Sequence, residues 1–318
     1  MRTKETWILY VENELGQVGL GECSMLRGLS PDDPASFEQK LEILCRQINS
    51  GEKVDSFLDY PAIRMGYEMA MLDLKNGGKQ LYFPSDFTGN KRGILINGLI
   101  WMADYDSMLM QIQQKIEAGY QVIKLKIGAL DFQQELRLIA GIRQQYSKDE
   151  IQICVDANGA FVPQEALSKL ERLAAYDLHS IEQPIRAGQW KEMASLCKHS
   201  PLPVALDEEL IGIYSNETRH ALLETINPRY IILKPSLLGG FAASEEWIEI
   251  AGETNTGWWI TSLLESNIGL NAIAQWAARL PLNSHQGLGT GQLYHNNFDS
   301  PLYVENGKLY YHNDVIRD

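Results

Sequence analysis

A chain of 318 residues, 45% hydrophobic and 22% charged, has the composition of a soluble globular protein with a large core. Its formal net charge of −13 disfavours a nucleic-acid backbone or an anionic membrane as the main partner, while leaving room for an anionic small molecule in a local basic pocket. Four scattered cysteines (Cys23, Cys45, Cys154 and Cys197) without a Cys-x-x-Cys pair, no signal-peptide pattern and no bilayer-length apolar run point to reduced thiols in a cytoplasmic protein.

From the N-terminus, "TWILYVENELGQVGLGEC" reads as two strands about a polar turn. "PASFEQKLEILCRQINSG" has helical spacing, with Pro34 near its start and Gly51 after its end. "YPAIRMGYEMAMLDLKNGG" is a second helix stopped by a glycine pair, so residues 1–89 are expected to form a small α+β unit. From Gly93 the pattern changes. The short apolar runs "GILINGLI", "VIKLKI", "IQICVDAN", "LHSIEQP", "PVALDEE", "YIILKPS", "GWWITSLLES" and "SHQGLGT" alternate with amphipathic stretches such as "DFQQELRLIAGIRQQY". Eight strands separated by seven helices predict a parallel α/β barrel over residues 90–298 rather than an open sheet. Last, "LYVENGKLYY" sets Asn306-Gly307 between strand-like runs, a hairpin over residues 299–318 expected to return to the N-terminal unit.

The strand "VIKLKIG" carries Lys124 and Lys126 one residue apart, so both project to one face while Ile123, Leu125 and Ile127 share the other. Further polar residues close the following strands: Asp156, Glu182, Asp207, Lys234 and Ser262, at intervals of 25–30 residues. A barrel of eight units spends about 31 residues on each, so these side chains are expected together at the C-terminal mouth, where barrel active sites lie. Singly, each carboxylate has an ordinary reading as a turn or cap residue. Together, three carboxylates on separate strands suit a hard cation such as Mg²⁺, and no histidine pair or cysteine cluster offers zinc. Lys126 is then expected to be a base, Lys124 a neighbouring charge that lowers its pKa, and Lys234 a lysine approaching from the other side.

In order, "KLKIG", "VDANGAF", "IEQP", "LDEE", "ILKPSLLGG" and "TSLLESNIGL" resemble the enolase superfamily in its muconate-cycloisomerase-like subgroup, over nearly the whole chain. The resemblance implies the α/β class: a modified (β/α)7β TIM-like barrel with an α+β capping domain. It implies Asp156, Glu182 and Asp207 as ligands of Mg²⁺, with Mn²⁺ as a substitute, Lys126 as acid/base with Lys124 its partner, and Lys234 on the opposite face. The chemistry implied is removal of a proton α to a carboxylate. Within the subgroup, "GECSMLRGLSPDD" is most similar to the o-succinylbenzoate synthase family, which implies syn-dehydration of a succinyl-bearing cyclohexadiene carboxylate in menaquinone biosynthesis. Relative to that family the segment before "KETWIL" is short, so the cap is expected to lack its first strand and lid loop.

The same resemblance nominates substrate contacts. Ser262 matches a serine near the succinyl carboxylate, or is a strand-end hydroxyl bonding backbone. Asn158 shares the face of Asp156, or serves a turn. Trp101 lines the ring pocket, or is core. Met25 and Arg27 sit on a cap loop that in the family faces the mouth, or Arg27 is simply solvated, and Gly287 with Gly289 permits close approach of substrate or serves a turn. Dipeptide epimerase and N-succinylamino acid racemase share the lysines and ligands, but the Asp-x-Asp of epimerases is missing from "GLGTGQLYH". A reading of another class is a non-catalytic metal-binding barrel. The expected partner is a small-molecule carboxylate, with no nucleic acid and no membrane; the sequence leaves the oligomeric state open.

Overall fold

The computed structural model describes residues 3–291 and 293–312; the outer ends of the expected first and last segments, 1–2 and 313–318, lie outside the described residues. Trp7–Glu12 (β1) and Val18–Cys23 (β2) pair antiparallel. The turn forms where expected because the Asn13 Oδ1 accepts the N–H groups of Leu15 and Gln17 at 3.0 and 3.1 Å. Phe37–Ser50 (α1) and Pro61–Lys75 (α2) follow, the second opening on a proline where no N–H is needed. Helix α2 meets β2 almost backbone to backbone. A Cβ on Gly21 would stand 1.8 Å from the Gly66 carbonyl oxygen, so only glycine fits. Leu9, Phe37, Leu44 and Ile63 belong to a core of this unit's own.

Ile94–Leu95 (β3) leads into Gly98–Ile100 (β4), and strand and helix then alternate. In order come Tyr105–Glu117 (α3), Val122–Lys126 (β5), Phe132–Gln145 (α4), Gln152–Asp156 (β6), Pro163–Ala174 (α5), Ser180–Glu182 (β7) and Trp190–His199 (α6). Val204–Leu206 (β8), Asn216–Ile226 (α7), Tyr230–Leu233 (β9), the short Pro235–Leu238 (α8), Gly240–Glu253 (α9), Gly257–Ile260 (β10) and Asn267–Ala277 (α10) complete the series. Strands β4 to β10 lie side by side in chain order, all parallel. The eighth stave is only two residues long. Gln286 and Gly287 bridge in parallel to Ile96 on one side and Thr261 on the other, which closes the ring. This is the expected α/β barrel. Its main core lies between strands and helices, where Ile123, Leu125 and Ile127 pack with Leu138 and Ile139.

Leu302–Glu305 (β11) and Lys308–Tyr311 (β12) form the expected hairpin, with Asn306 and Gly307 at φ of 49° and 67°, the left-handed turn this dipeptide favours. It reaches the expected unit through Tyr311 on Phe87, but its ladder partner lies elsewhere. Strand β12 pairs with β3 at the entry to the barrel, not with the β1–β2 hairpin. Gly93 makes the room: a Cβ there would lie 2.7 Å from the Tyr310 ring, and Tyr311 meets Phe87 edge-on. Among the described residues, no helix is long and apolar enough to cross a membrane.

Candidate active site

The alternation of β5 turns Lys124 and Lys126 into the barrel, while its apolar residues face the helices. Register then sets neighbours at one level: Lys126 beside Asp156, and Asp156 beside Glu182. Asp207 and Lys234 are the residues immediately after β8 and β9, at the same end of the sheet. With eight staves in the ring, β5 and β9 stand opposite each other, and the carboxylates occupy the arc β6, β7, β8 between them. The three acids and three lysines picked out from the sequence therefore meet at one mouth.

Their contacts are short. Lys124 Nζ donates to Glu182 Oε2 at 2.6 Å and pairs with Asp156 Oδ2 at 3.0 Å. Lys126 Nζ donates to Asp156 Oδ2 and to Asn158 Oδ1, each at 2.6 Å. Asn158 Nδ2 in turn donates to Glu208 Oε1 at 2.8 Å, and Lys234 donates to Asp207 Oδ2. Asn158 holds a left-handed φ of 42°, steadied by its N–H to Asp156 Oδ1 at 3.0 Å.

Burial and charge pull these groups apart. Burial alone would raise the Asp156 carboxyl, but Lys124 and then Lys126 outweigh it and hold the group well below the usual carboxylate range. Glu182 goes the other way: burial, then the Asp156 charge, push it well up against the pull of Lys124. Burial would lower Lys124 and Lys234, yet Asp156, Glu182 and Asp207 around the first, and Asp207, Glu182 and Glu208 around the second, keep both raised and cationic. Burial, then Asp207, raise Glu208.

Above the charges lies a cavity of about 200 Å³. Its polar side is Lys124, Lys126, Lys234, Asn158 and Glu208; its apolar side is Leu26, Leu29, Leu99, Trp101, Leu263 and Leu264. Ser262 reaches it with its Oγ 2.7 Å from Thr290 Oγ1, and Trp101, 37% exposed, stands at its rim. Gly287 lines it too, and its missing side chain has a packing cause: a Cβ there would lie 1.7 Å from Thr261 Oγ1.

One expectation needs correction. Met25 is buried in the core of the N-terminal unit and does not line the cavity; Leu26 and Leu29, further along the same loop, do. Arg27 follows its solvated reading: it is exposed and pairs with Glu5 at 2.6 Å. Glu208 was missed although it follows Asp207 directly in "LDEE". Strand alternation would turn it away, but a short 3-10 turn over Glu208–Leu210 swings it inward.

Among the described residues, no three acidic, imidazole or thiol groups already converge as a chelating cluster, because ammonium groups sit between the acids. The donor set nevertheless fits a hard divalent cation. It is all oxygen, one carboxylate from each of three adjacent strand ends, and Glu182 Oε1 is buried without a hydrogen-bond partner.

Residues 107–314 match the family model described as Enolase C-terminal domain-like. An o-succinylbenzoate synthase of Desulfotalea psychrophila is 47% identical over 97% of this chain and 92% of its own length. Another, of Bacillus subtilis, is 28% identical over 71% of this chain and 60% of its own. The crystal structure of MenC from Desulfotalea psychrophila LSv54 superposes with a TM-score of 0.89 at 46% identity, covering 96% of this chain and 94% of that one. A muconate cycloisomerase variant shares the fold at 21% identity, with a TM-score of 0.81 over 98% of this chain and 92% of that one.

Proposed function

The chain belongs to the enolase superfamily, among its o-succinylbenzoate synthases, and from that premise we propose how its cavity works. It is a lyase that removes water from a hydroxylated cyclohexadiene carboxylate bearing a succinyl chain, giving o-succinylbenzoate on the way to menaquinone. Lys126 takes the proton from the carbon that bears the carboxylate, and the electron pair left behind spreads into that carboxylate. The ammonium so formed gives its proton to the hydroxyl leaving from the same face. The C–O bond breaks, water departs, and the ring becomes aromatic. Lys234, on the far stave, stays cationic beside Asp207 and attracts the electron-rich ring. Lys124, fixed between Asp156 and Glu182, keeps a positive charge on the same strand face as Lys126.

Asp156, Glu182 and Asp207 would hold a divalent cation, which enolase-superfamily sites use together with a lysine or histidine base; we take it to be Mg²⁺, with Mn²⁺ as a substitute. When bound, such an ion neutralises negative charge as it builds on the substrate carboxylate. The apolar side of the cavity would seat the ring and keep water from the proton in transit. Ser262, Asn158 and Trp101, which line the cavity, would touch substrate, and the reaction would run in the cytoplasm.

One observation supports this reading above the others: two lysines on opposite staves line one small cavity, with three carboxylates on the arc between them. The test is an ultraviolet assay for aromatic product from the cyclohexadiene substrate. Product should form with Mg²⁺, cease with EDTA and return with Mn²⁺. A wild-type protein that binds Mg²⁺ yet releases no product would instead support the non-catalytic metal-binding barrel.

A further inference from the structure

Besides Leu99 and Trp101, at β4 of the barrel, the apolar half of the cavity is assembled from two separate pieces of chain. Leu26 and Leu29 come from the loop after β2, and Leu263 and Leu264 from the turn after β10. Neither piece is held by the barrel ladder. Leu264 adopts a left-handed φ of 58°, which a leucine does not take unless its surroundings impose it. An open hollow of about 460 Å³, lined by Lys4, Glu22, Ser266 and Tyr294, lies on the outer side of the turn.

One side chain reaches both pieces. Lys4 Nζ donates to Ser24 Oγ at 2.6 Å, to the Leu263 carbonyl at 2.9 Å and to the Leu264 carbonyl at 3.0 Å. An ammonium has three protons, and all three are spent here. Ser24 is buried at the root of the leucine loop, two residues before Leu26. The turn is also closed from within, since Leu263 N–H donates to Glu265 Oε2 at 2.6 Å while Glu265 Oε1 accepts from Ser236 at 2.6 Å. Glu22, at the end of β2, accepts from Ser266 N–H at 2.9 Å and from Gly269 N–H at 2.8 Å, joining the same turn to the N-terminal unit. Both carboxylates are buried and both attract Lys4.

We propose that Lys4 is a positioning residue for the substrate: through Ser24 and the carbonyls of Leu263 and Leu264 it holds both leucine walls at the spacing that grips the ring. It touches neither the reacting carbon nor the lysines. It therefore acts on binding of the apolar part of the substrate and leaves proton transfer alone. The inference rests on the cavity being the substrate site of the proposed reaction.

The test is Lys4→Met, which keeps the stem and removes the donors. KM for the cyclohexadiene substrate should rise about tenfold, with kcat within about threefold and its pH profile unmoved. Lys4→Arg, which keeps charge and donors, should recover most of the lost KM. An unchanged KM in folded Lys4→Met, or a fallen kcat with a shifted pH profile, overturns the proposal. If Lys4→Met does not fold, Leu264→Gly decides: glycine tolerates the backbone but removes the wall, so KM must rise with kcat kept, and an unchanged KM overturns the idea. Amide exchange separates this inference from the reaction it rests on. In Lys4→Met the segments 24–29 and 263–266 should exchange faster than in wild type while α4 and α5 do not, whether or not wild type yields product. Exchange unchanged in those two segments overturns the proposal.

Discussion

Lys126 has two acceptors at equal distance, Asp156 Oδ2 and Asn158 Oδ1, whereas Lys124 is locked between two buried acids. Removing Lys126 therefore leaves Asp156 still neutralised. Lys126→Ala should lower turnover by about 10³-fold or more, the upper part of what a positioned acid/base contributes. Its affinity for Mg²⁺, measured by calorimetry, should stay within about tenfold of wild type, and unchanged turnover would remove Lys126 from the mechanism. A second residue predicts a pH effect far from the site. Asp32 Oδ1 accepts the Ala62 N–H at 3.1 Å, but Oδ2 is buried without a partner, and burial raises the carboxyl to about 7 against the pull of that hydrogen bond. A raised acid stabilises the fold fully below its unfolded value near 3.8 and loses that contribution as pH climbs to about 7. Urea stability should thus decline by up to about 4 kcal/mol between those pH values from this group. Asp32→Asn should flatten that decline, and equal slopes for the two proteins would refute it. Neither Asp32 nor Glu208 was visible as special in the sequence. Burial and a 3-10 turn make them so, whereas Lys124 and Lys126 announced themselves by alternation within an apolar strand.

Elements were legible in proportion to how local their causes are. The first hairpin follows from Asn13 folding back on its own turn, the last from Asn306-Gly307, and α2 from Pro61 at its start. The eighth stave was read as a strand, but Gln286 and Gly287 make only single bridges to each side, since Gln286 Oε1 also takes the Ile260 N–H at 2.8 Å. Where the last hairpin docks depends on Gly93 leaving space for Tyr310, a contact across more than two hundred residues that no local pattern encodes. The tightest packing between elements is likewise invisible to periodicity. A Cβ on Gly66 would lie 2.2 Å from Cys23 Sγ, and one on Gly21 1.8 Å from the Gly66 carbonyl. Both contacts fix α2 on β2, whose far end carries Ser24 and the leucine loop. Gly66→Ala should cost about 1–3 kcal/mol of unfolding free energy, because the Cys23 thiol 2.2 Å away is fully buried and the Cys23 backbone nitrogen stands only 3.0 Å from the same Cβ. It should also raise KM, since the loop shifts with the helix. A urea midpoint equal to wild type would show that the two elements can separate without loss.

At the scale of the whole molecule, charge arithmetic orders the binding events. The intervals along the sequence brought six ionic groups to one rim, and the register and ring closure set the three carboxylates on one arc with the lysines at its two ends. With Glu208 counted, three lysines face four carboxylates, a net charge of −1 when all are ionised. A divalent cation entering alone would turn that into an excess of positive charge within a low-dielectric mouth, which is unfavourable. A substrate or product with two carboxylates brings two negative charges and offsets the cation. Cation and dicarboxylate should consequently bind cooperatively, each strengthening the other by the same factor. Thermal unfolding can read this out. A ligand at one hundred times its dissociation constant adds about 2.7 kcal/mol, and at about 2.1 cal/mol/K per residue a chain of 318 residues then melts roughly 4 °C higher. Mg²⁺ alone and o-succinylbenzoate alone should each give less than that, and the two together more than the sum of their separate shifts. Purely additive shifts would mean that cation and carboxylates do not share one cavity, and the roles given to Asp156, Glu182 and Asp207 would have to be reassigned.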